Sequence, residues 1–409
     1  VIVSTYRVLF ISGSIGLGHA TRDIAIADEL KMMCSDIEIV WLASGPARML
    51  LEKGKQTLLE ETEAYYDVNE AAEASAEGTR LNLFRYGNRA GKGWLRNIAL
   101  FKEILLRYSF DLIVADEAYE ISYFFSRAKQ DEVPPFVEII DFVGFSPMSN
   151  RLSERLKSWV MNRVWSRSGK KRGRHHTTFF VGEPDDVPDS RFGFLLPGRK
   201  EYATAACRFL GYVVGFNPDD YSDREELKKR LGYSTSPLIV CSNGGTSIGA
   251  ELLTLCGNAY QLLKERLGSA QMVLVCGPCI SPASIKAPEG VTVKGYVPKL
   301  YEHFAACDIA VVQGGGSSTL ELTVLNRPFI YFPLEDHFEQ QLYIPSRLER
   351  HRAGIRMSYS QATAVLLADA ICAHIKKPVG YRPVPTDGAH KAAAYMIEML
   401  KHGEQHAAR

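Results

Sequence analysis

The chain carries almost no surplus of charge. Its 48 Lys and Arg face 47 Asp and Glu across 409 residues, a formal net charge of +1. That balance leaves no global field to gather nucleic acid, and no nucleic-acid-binding motif makes up for it. No apolar run reaches the roughly 18 residues that a membrane span needs. The opening VIVSTYRVLFISG is broken by Thr5, Tyr6 and Arg7, and it reads as a first buried strand. It lacks the basic flank, apolar stretch and small-residue site of a signal peptide, so the expected location is cytoplasmic. Short repeats and low-complexity segments are also missing. Eight cysteines are scattered, most in apolar runs such as LIVCSNGG and FAACDIAVV, where a reduced thiol acts as a small hydrophobe. Only Cys276-Gly-Pro-Cys279 has redox spacing. It follows a strand and is trailed by Ser281 and Pro282, which suits a loop, and no second Cys or His pair is near to complete a metal site.

What the sequence does have is alternation. RVLFISG, IEIVWLAS, FDLIVADE, FVEIIDF and TTFFVG in the first half are short and rich in Val, Ile and Phe, as are PLIVCSNGG, QMVLVCGP, VTVKGYV, IAVVQGGG and PFIYFP in the second. Such runs belong to parallel strands buried on both faces. Helical stretches intervene, among them TRDIAIADELKMM, GAELLTLCGNAYQLLKERL and SSTLELTVL, giving repeated βαβ units. The expected fold is α/β, with two Rossmann-like doubly wound domains facing across a cleft. Expected boundaries are 1–212, 213–380, and a C-terminal helix at 381–409 packing back on the first domain. Ligands then gather at the carboxyl ends of the strands.

The stretch FISGSIGLGHATRD resembles a dinucleotide-binding turn and fails as one. Gly16 and Gly18 supply the first two glycines, but Thr21 holds the third position and no acidic residue ends the second strand. What remains is a tight glycine turn that sets His19 at a helix N-terminus. Asp116, at the end of FDLIVAD, is placed to reach the same edge. A carboxylate beside imidazole fixes its tautomer and raises its basicity, and general-base help of this kind is worth roughly 10²- to 10⁴-fold in rate. Three plainer roles compete: a capping or packing histidine, an Asp116 that caps the next helix, and Glu117 as the carboxylate instead.

The second glycine cluster, DIAVVQGGGSSTLELTVLNRPFIYFPLEDHFEQQ, combines strand, glycines, serines and helix into an anion site. Amides of Gly315, Gly316, Ser317 and Ser318 can converge on a diphosphate with the helix dipole behind them. It is no Walker loop, because no Gly-Lys-Ser/Thr follows. Gly244, Gly245, Thr246 and Ser247 of CSNGGTSIGAE can approach the same phosphates. Glu321 is one turn into the helix, where it can accept from ribose hydroxyls, or else close a capping box with Ser318. Downstream, Asp336, Gln340 and Gln341 suit a sugar's hydroxyls, although Asp336 and Glu339 also have capping-box spacing.

These segments resemble the nucleotide-sugar glycosyltransferases of GT-B fold, in particular the peptidoglycan lipid-intermediate N-acetylglucosaminyltransferase and the UDP-glucosyl/glucuronosyl transferases. The likeness rests on Gly314, Gly315, Gly316, Ser317, Ser318, Glu321, Asp336, Gln340 and Gln341, on GLGHATR with LIVAD, and on KGYVPKLYEHFAACDI. It implies that backbone near Tyr296 and Val297 pairs with a uracil edge. It is strong over residues 238–345 and looser before 212. The sequence departs from it in lacking an HCGWNS box and in carrying His337 where Gln is usual.

The resemblance implies an inverting transfer from a UDP-sugar (UDP-GlcNAc, UDP-Glc or UDP-Gal) to an acceptor hydroxyl, with no cofactor. No Asp-x-Asp motif is present, so no metal is expected. Two basic stretches, RLNLFRYGNRAGKGWLRNIALFKEILLR and NRLSERLKSWVMNRVWSRSGKKRGRHH, carry Phe84, Trp94, Trp159 and Trp165. They suit an anionic membrane and a lipid acceptor, or are an ordinary solvated helix and loop. Two rivals keep the fold or the ligand: a UDP-N-acetylglucosamine 2-epimerase-like enzyme, and a non-catalytic nucleotide-sugar-binding protein.

Overall fold

The computed structural model describes residues 6–13, 15–129, 132–168, 175–375 and 377–407. The strands, in chain order, are β1 Tyr6–Ser12, β2 Ile37–Ala43, β3 Ala76–Glu77, β4 Arg80–Leu81, β5 Leu112–Asp116, β6 Phe136–Ile140, β7 His176–Val181 and β8 Cys207–Gly211, then β9 Leu238–Ser242, β10 Gln271–Val275, β11 Val291–Lys294, β12 Ile309–Gln313, β13 Phe329–Phe332 and β14 Ile355–Arg356. They form two six-stranded sheets, in the orders β2-β1-β5-β6-β7-β8 and β11-β10-β9-β12-β13-β14, and a β3-β4 hairpin. Both large sheets are parallel throughout.

The chain divides into two compact units. One holds the chain up to Ala72, Phe84–Gly215 and the chain from Pro385; the other holds Glu73–Leu83 and Phe216–Val384. The expected boundaries need correction on three points. The switch falls after Gly215 instead of 212, residues 381–384 stay with the second unit, and residues 73–83 leave the first. The physical cause of the last is local pairing. Leu81 N–H donates to the Glu335 carbonyl, Glu335 N–H donates to Thr79, and Arg80 pairs with the Glu335 carboxylate at 3.0 Å.

In the first unit, side chains alternate across the sheet as strand geometry requires. Val8 and Phe10 join Ala20, Ile26 and Leu30 of the helix Gly18–Met33, together with Ala392, Ala393, Met396 and Leu400 of the C-terminal helix Gly388–Ala407. Leu9 and Ile11 point the other way, into Phe101, Ile104, Ile113 and Phe136. The second unit repeats this arrangement. Ile239, Cys241, Ile309 and Val311 face Leu252, Leu253 and Leu367, whereas Val240, Val273, Ala310 and Val312 face Phe304, Leu322 and Leu348. Burial on both faces explains why the strands read as unbroken apolar runs.

Each sheet reverses its winding once, between β1 and β5 in the first and between β9 and β12 in the second. At such a switch point the connecting helices leave for opposite faces, so a crevice opens at the carboxyl ends of the two central strands. His19 and Asp116 stand at the first of these edges; residues 243–247 and 314–318 stand at the second.

Candidate functional site

In the first unit, Gly16 takes φ +86° and its N–H donates to Asn69 Oδ1 at 2.7 Å, which fixes the turn before the helix Gly18–Met33. Gly13 allows the strand end to pass Ala118, whose Cβ would lie 2.9 Å from an added Cβ. His19 makes no capping bond at this helix start. Its Nδ1 lies 3.1 Å from Asp116 Oδ1. Asp116 is likewise no cap, since the helix Tyr119–Phe125 has none from a side chain. Glu117, the other candidate carboxylate, sits at φ +46° and accepts from the Tyr119 hydroxyl at 3.1 Å. Asp116 is therefore the carboxylate that His19 Nδ1 meets.

The sequence reading missed Arg22, one turn after His19. Its guanidinium grips Asp116 with both Nε and Nη2 at 2.5 Å, reaches Asp141 Oδ2 at 2.7 Å, and places Nη2 2.8 Å from His19 Nδ1. Spacing of i and i+3 puts the two side chains on one helix face, which is the signal that could have found it. Nδ1 thus has two competing neighbours. Protonated, it donates to Asp116 and leaves Nε2 as a base; bare, it accepts from Arg22 and Nε2 carries the proton.

Burial alone would raise the Asp116 carboxyl, but Arg22 and then His19 hold it well below the usual carboxylate range. The same balance lowers Asp141 to about 2. Asp23 behaves oppositely. Burial, then the neighbouring Asp116 charge, push its carboxyl well above its ordinary value. Arg22, itself penalised by burial, is held charged by Asp116 and Asp141. His19, Glu117 and Asp141 place one ligand atom each within 4.8 Å of one another. That N, O, O set is of a type that holds a divalent cation, but Arg22 already neutralises Asp141.

In the second unit, the helix Gly316–Val324 starts after Gly315 as N-cap. Its first-turn amides, those of Gly316, Ser317 and Ser318, have no acceptor within the helix. The expected set is corrected at one position: Gly315 N–H is already bonded to the Gln313 carbonyl at 2.8 Å, and Gly314 N–H to Phe332. Gly314 has a packing role as well, because a Cβ there would meet Pro333 Cα at 2.7 Å. Ser318 is the third helical residue, so it cannot be the N-cap of a box with Glu321. Glu321 is half-buried, and desolvation pushes its carboxyl up to about 8.

The neighbouring loop is shaped by Asn243, whose Nδ2 donates to the carbonyls of Thr246 and Ile248. Gly244 adopts φ +82° with open space beside it, and Gly245 and Gly244 remain half-exposed. Ser247 is corrected: its N–H donates to Glu73 Oε1 at 3.1 Å, so a carboxylate from the 73–83 excursion sits where a phosphate oxygen was expected. Gln340 and Gln341 are corrected too. Gln340 Oε1 accepts from Leu334 N–H, and Gln341 Nε2 donates to Pro333 and Leu334 while its Oε1 accepts from Arg356. Both carboxamides brace the loop after β13. In the same loop His337 Nδ1 accepts from Gln340 N–H, and Asp336 is half-buried at φ +61°. Tyr296 and Val297, after β11, are half-buried.

The Cys276–Cys279 pair is structural. Cys276 is buried and its thiol is pushed up by burial, the reverse of a reactive thiolate. Cys279 is exposed and its Sγ donates to the Gly245 carbonyl at 3.3 Å. Gly277, at φ +76°, passes so close to Gly244 that an added Cβ would lie 2.1 Å from its carbonyl oxygen. The motif therefore buttresses the glycine loop. Phe84, Trp94, Trp159 and Trp165 are half-buried and pack on other rings, a loop or a neighbouring cluster. The basic run Lys170–Arg174 lies outside the described residues. Among the described residues no helix is long and apolar enough to cross a membrane.

Residues 239–393 match the glycosyltransferase family 28 C-terminal domain. An uncharacterized glycosyltransferase of Methanosarcina mazei is 32% identical over 101 residues, which is 24% of this chain and 27% of that protein. Monogalactosyldiacylglycerol synthase 1 of Arabidopsis thaliana, a chloroplastic protein, is 29% identical over 114 residues, 26% of this chain and 21% of that one. The chain thus spans about a quarter of the length of these curated relatives. The solved glycotransferase of kitacinnamycin aligns over 98% of this chain and 96% of its own, with a TM-score of 0.59 at 12% identity. The chain has the GT-B glycosyltransferase fold, and most of its second unit is similar to the C-terminal domain of glycosyltransferase family 28.

Proposed function

We propose that the chain is an inverting glycosyltransferase that moves a sugar from a UDP-sugar to an acceptor hydroxyl. The observation that carries this reading is the His19–Asp116–Arg22 cluster at the switch point of the first unit, in a chain whose residues 239–393 match a glycosyltransferase family 28 C-terminal domain. Asp116 accepts from His19 Nδ1–H, and Nε2 takes the proton of the acceptor hydroxyl. The freed oxygen attacks the anomeric carbon, its bond to the diphosphate breaks, and the electron pair leaves on UDP. Attack from the side opposite the leaving group inverts the configuration. First-turn amides of Gly316, Ser317 and Ser318, with the helix dipole, stabilise the charge that develops on the diphosphate. Glu321 accepts from the ribose hydroxyls. Transfer needs no metal in this scheme and survives a chelator.

For the acceptor we favour a lipid or lipid-linked hydroxyl, on the likeness to the Arabidopsis synthase, whose name specifies a diacylglycerol product. A thermal-shift panel of UDP-, dTDP- and GDP-sugars, followed by transfer and hydrolysis assays on the hits, tests the scheme. A ligand at about 100 times its Kd adds about 2.7 kcal/mol to stability, so UDP-sugars raise the melting point and the product anomer is inverted. An epimerised nucleotide sugar formed without acceptor, or binding without any turnover, would replace the proposal with one of the two rivals.

A further inference from the structure

Residues 73–83 belong to the second unit, although the chain on either side of them belongs to the first. They form a strap that touches the loops after β9 and β13. One end is anchored after β13. Arg80 and Glu335 make an isolated parallel bridge, flanked by the hydrogen bonds of Leu81 N–H to Glu335 and of Glu335 N–H to Thr79 at 2.9 and 2.8 Å, and their side chains pair as well. In the middle, the β3-β4 hairpin turns on Gly78, at φ +58°, where an added Cβ would lie 3.1 Å from Glu251 Oε1. A side chain there would strain the backbone and crowd that carboxylate, so the turn is fitted to this surface. The other end is Glu73, whose Oε1 accepts from Ser247 N–H at 3.1 Å in the loop after β9.

The place of that amide gives the contact its meaning. Gln313, the residue before Gly314, donates from Nε2 to the Ile248 carbonyl at 2.6 Å and so holds the two glycine loops together. Ser247 N–H therefore borders the same crevice as the amides of Gly316, Ser317 and Ser318, which have no acceptor within their helix. A carboxylate oxygen and a phosphate oxygen ask the same thing of a backbone amide. Glu73 is half-buried, and among the described residues no cation pairs with its carboxylate. An anion held by one hydrogen bond, with no opposite charge beside it, is poised to exchange with a more highly charged one.

We propose that Glu73 is a built-in competitor for the donor's diphosphate. It holds the Ser247 amide until a diphosphate enters, yields it, and takes it back as the UDP product leaves. A competitor tethered by the strap lowers the grip on donor and product alike, which keeps product release from limiting turnover. The role rests on the reading of this crevice as the diphosphate site of the proposed transfer, and it adds a residue that tunes that site.

Calorimetric titration of the whole chain tests it, with inorganic pyrophosphate, UDP and uridine as probes. Glu73→Gln removes the competing charge, and Glu73→Ala removes the competing group. Both variants are expected to bind pyrophosphate and UDP about tenfold more tightly than wild type, the worth of one charge-assisted hydrogen bond. Uridine, which has no phosphate, binds unchanged, and stopped-flow dissociation of UDP slows in step with its affinity. A purely structural Glu73 predicts the reverse, because a loosened loop weakens all three ligands. Pyrophosphate affinity that is unchanged or lower in either variant would overturn the role of Glu73. The transferase reading fails separately: proteins that bind pyrophosphate as predicted and bind no UDP-sugar would refute the donor and leave the competitor in place.

Discussion

Removal of Arg22 should hurt the first unit severely, because its guanidinium bonds Asp116 and Asp141 together. Arg22→Met keeps the bulk of the side chain and deletes the charge. Asp116 then keeps its contact with His19 but loses its cation, as does the partly buried Asp141, and Asp116 stands beside Asp23, whose carboxyl burial already pushes well above its ordinary value. Breaking one partner out of a buried ion pair costs about 3–5 kcal/mol. At about 2–4 °C per kcal/mol for a unit of 150–250 residues, that is a fall of roughly 6–20 °C in melting temperature by calorimetry. The sign of the pH dependence follows from the depressed carboxyls. In the wild type, Asp116 and Asp141 stabilise fully above the ordinary carboxyl range, and that contribution is lost only as pH falls toward about 2 for Asp141. In the variant burial prevails, both carboxyls rise, and protonation relieves them at mild acid pH. The gap between the proteins is therefore wide at pH 8 and narrows toward pH 5. A variant melting within about 2 °C of wild type at pH 8, or a gap unchanged between the two pH values, would refute this electrostatic account.

Donor binding should itself respond to pH. Glu321 is protonated below about 8, whereas sugar hydroxyls that donate to it favour the ionised form. UDP-sugar affinity measured by calorimetry then rises with pH, by at most about tenfold per unit, and levels off above about 8; Glu321→Gln weakens binding and removes the slope. The glycine loop should be just as sensitive to its buttress. Gly277→Ala combines a left-handed φ with a Cβ 2.1 Å from the Gly244 carbonyl, so it lowers stability by about 1–3 kcal/mol and donor affinity with it. Gly244→Ala, with φ +82° but nothing nearby, pays only the backbone strain, and denaturant titration separates the two.

The ten strands expected from the sequence are all present, because parallel strands buried on both faces leave long Val, Ile and Phe runs. β8 and β14 escaped notice. CRFLG ends in a glycine that looked like linker, and Ile355–Arg356 is two residues long. The β3-β4 hairpin left no periodicity either, so its membership of the second unit, and the Glu73 carboxylate at the Ser247 amide, were invisible. His19 and Asp116 were legible because each ends or follows a strand at a switch point. Arg22 and Asp23 were not, since a buried charge inside a helical pattern looks like the solvated face of a helix, and Asp141, although it follows β6, was passed over because nothing in FVEIIDF marks it off from an ordinary strand end. Gln340 and Gln341 illustrate the reverse error: residue type suggested ligand contact, but short-range hydrogen bonds to Pro333 and Leu334 claim their amides. The helix Leu152–Ser168 misled by composition, since its aromatics pack inward and its aliphatic residues do not.

The central proposal is that His19 acts as the base for the acceptor hydroxyl and takes no part in holding the donor. His19→Ala separates those two roles in one titration and one rate. UDP-sugar affinity is expected to stay within about twofold of wild type, while turnover falls by roughly 10²- to 10⁴-fold. A variant that transfers sugar at the wild-type rate, or one that loses donor affinity in step with activity, would contradict it.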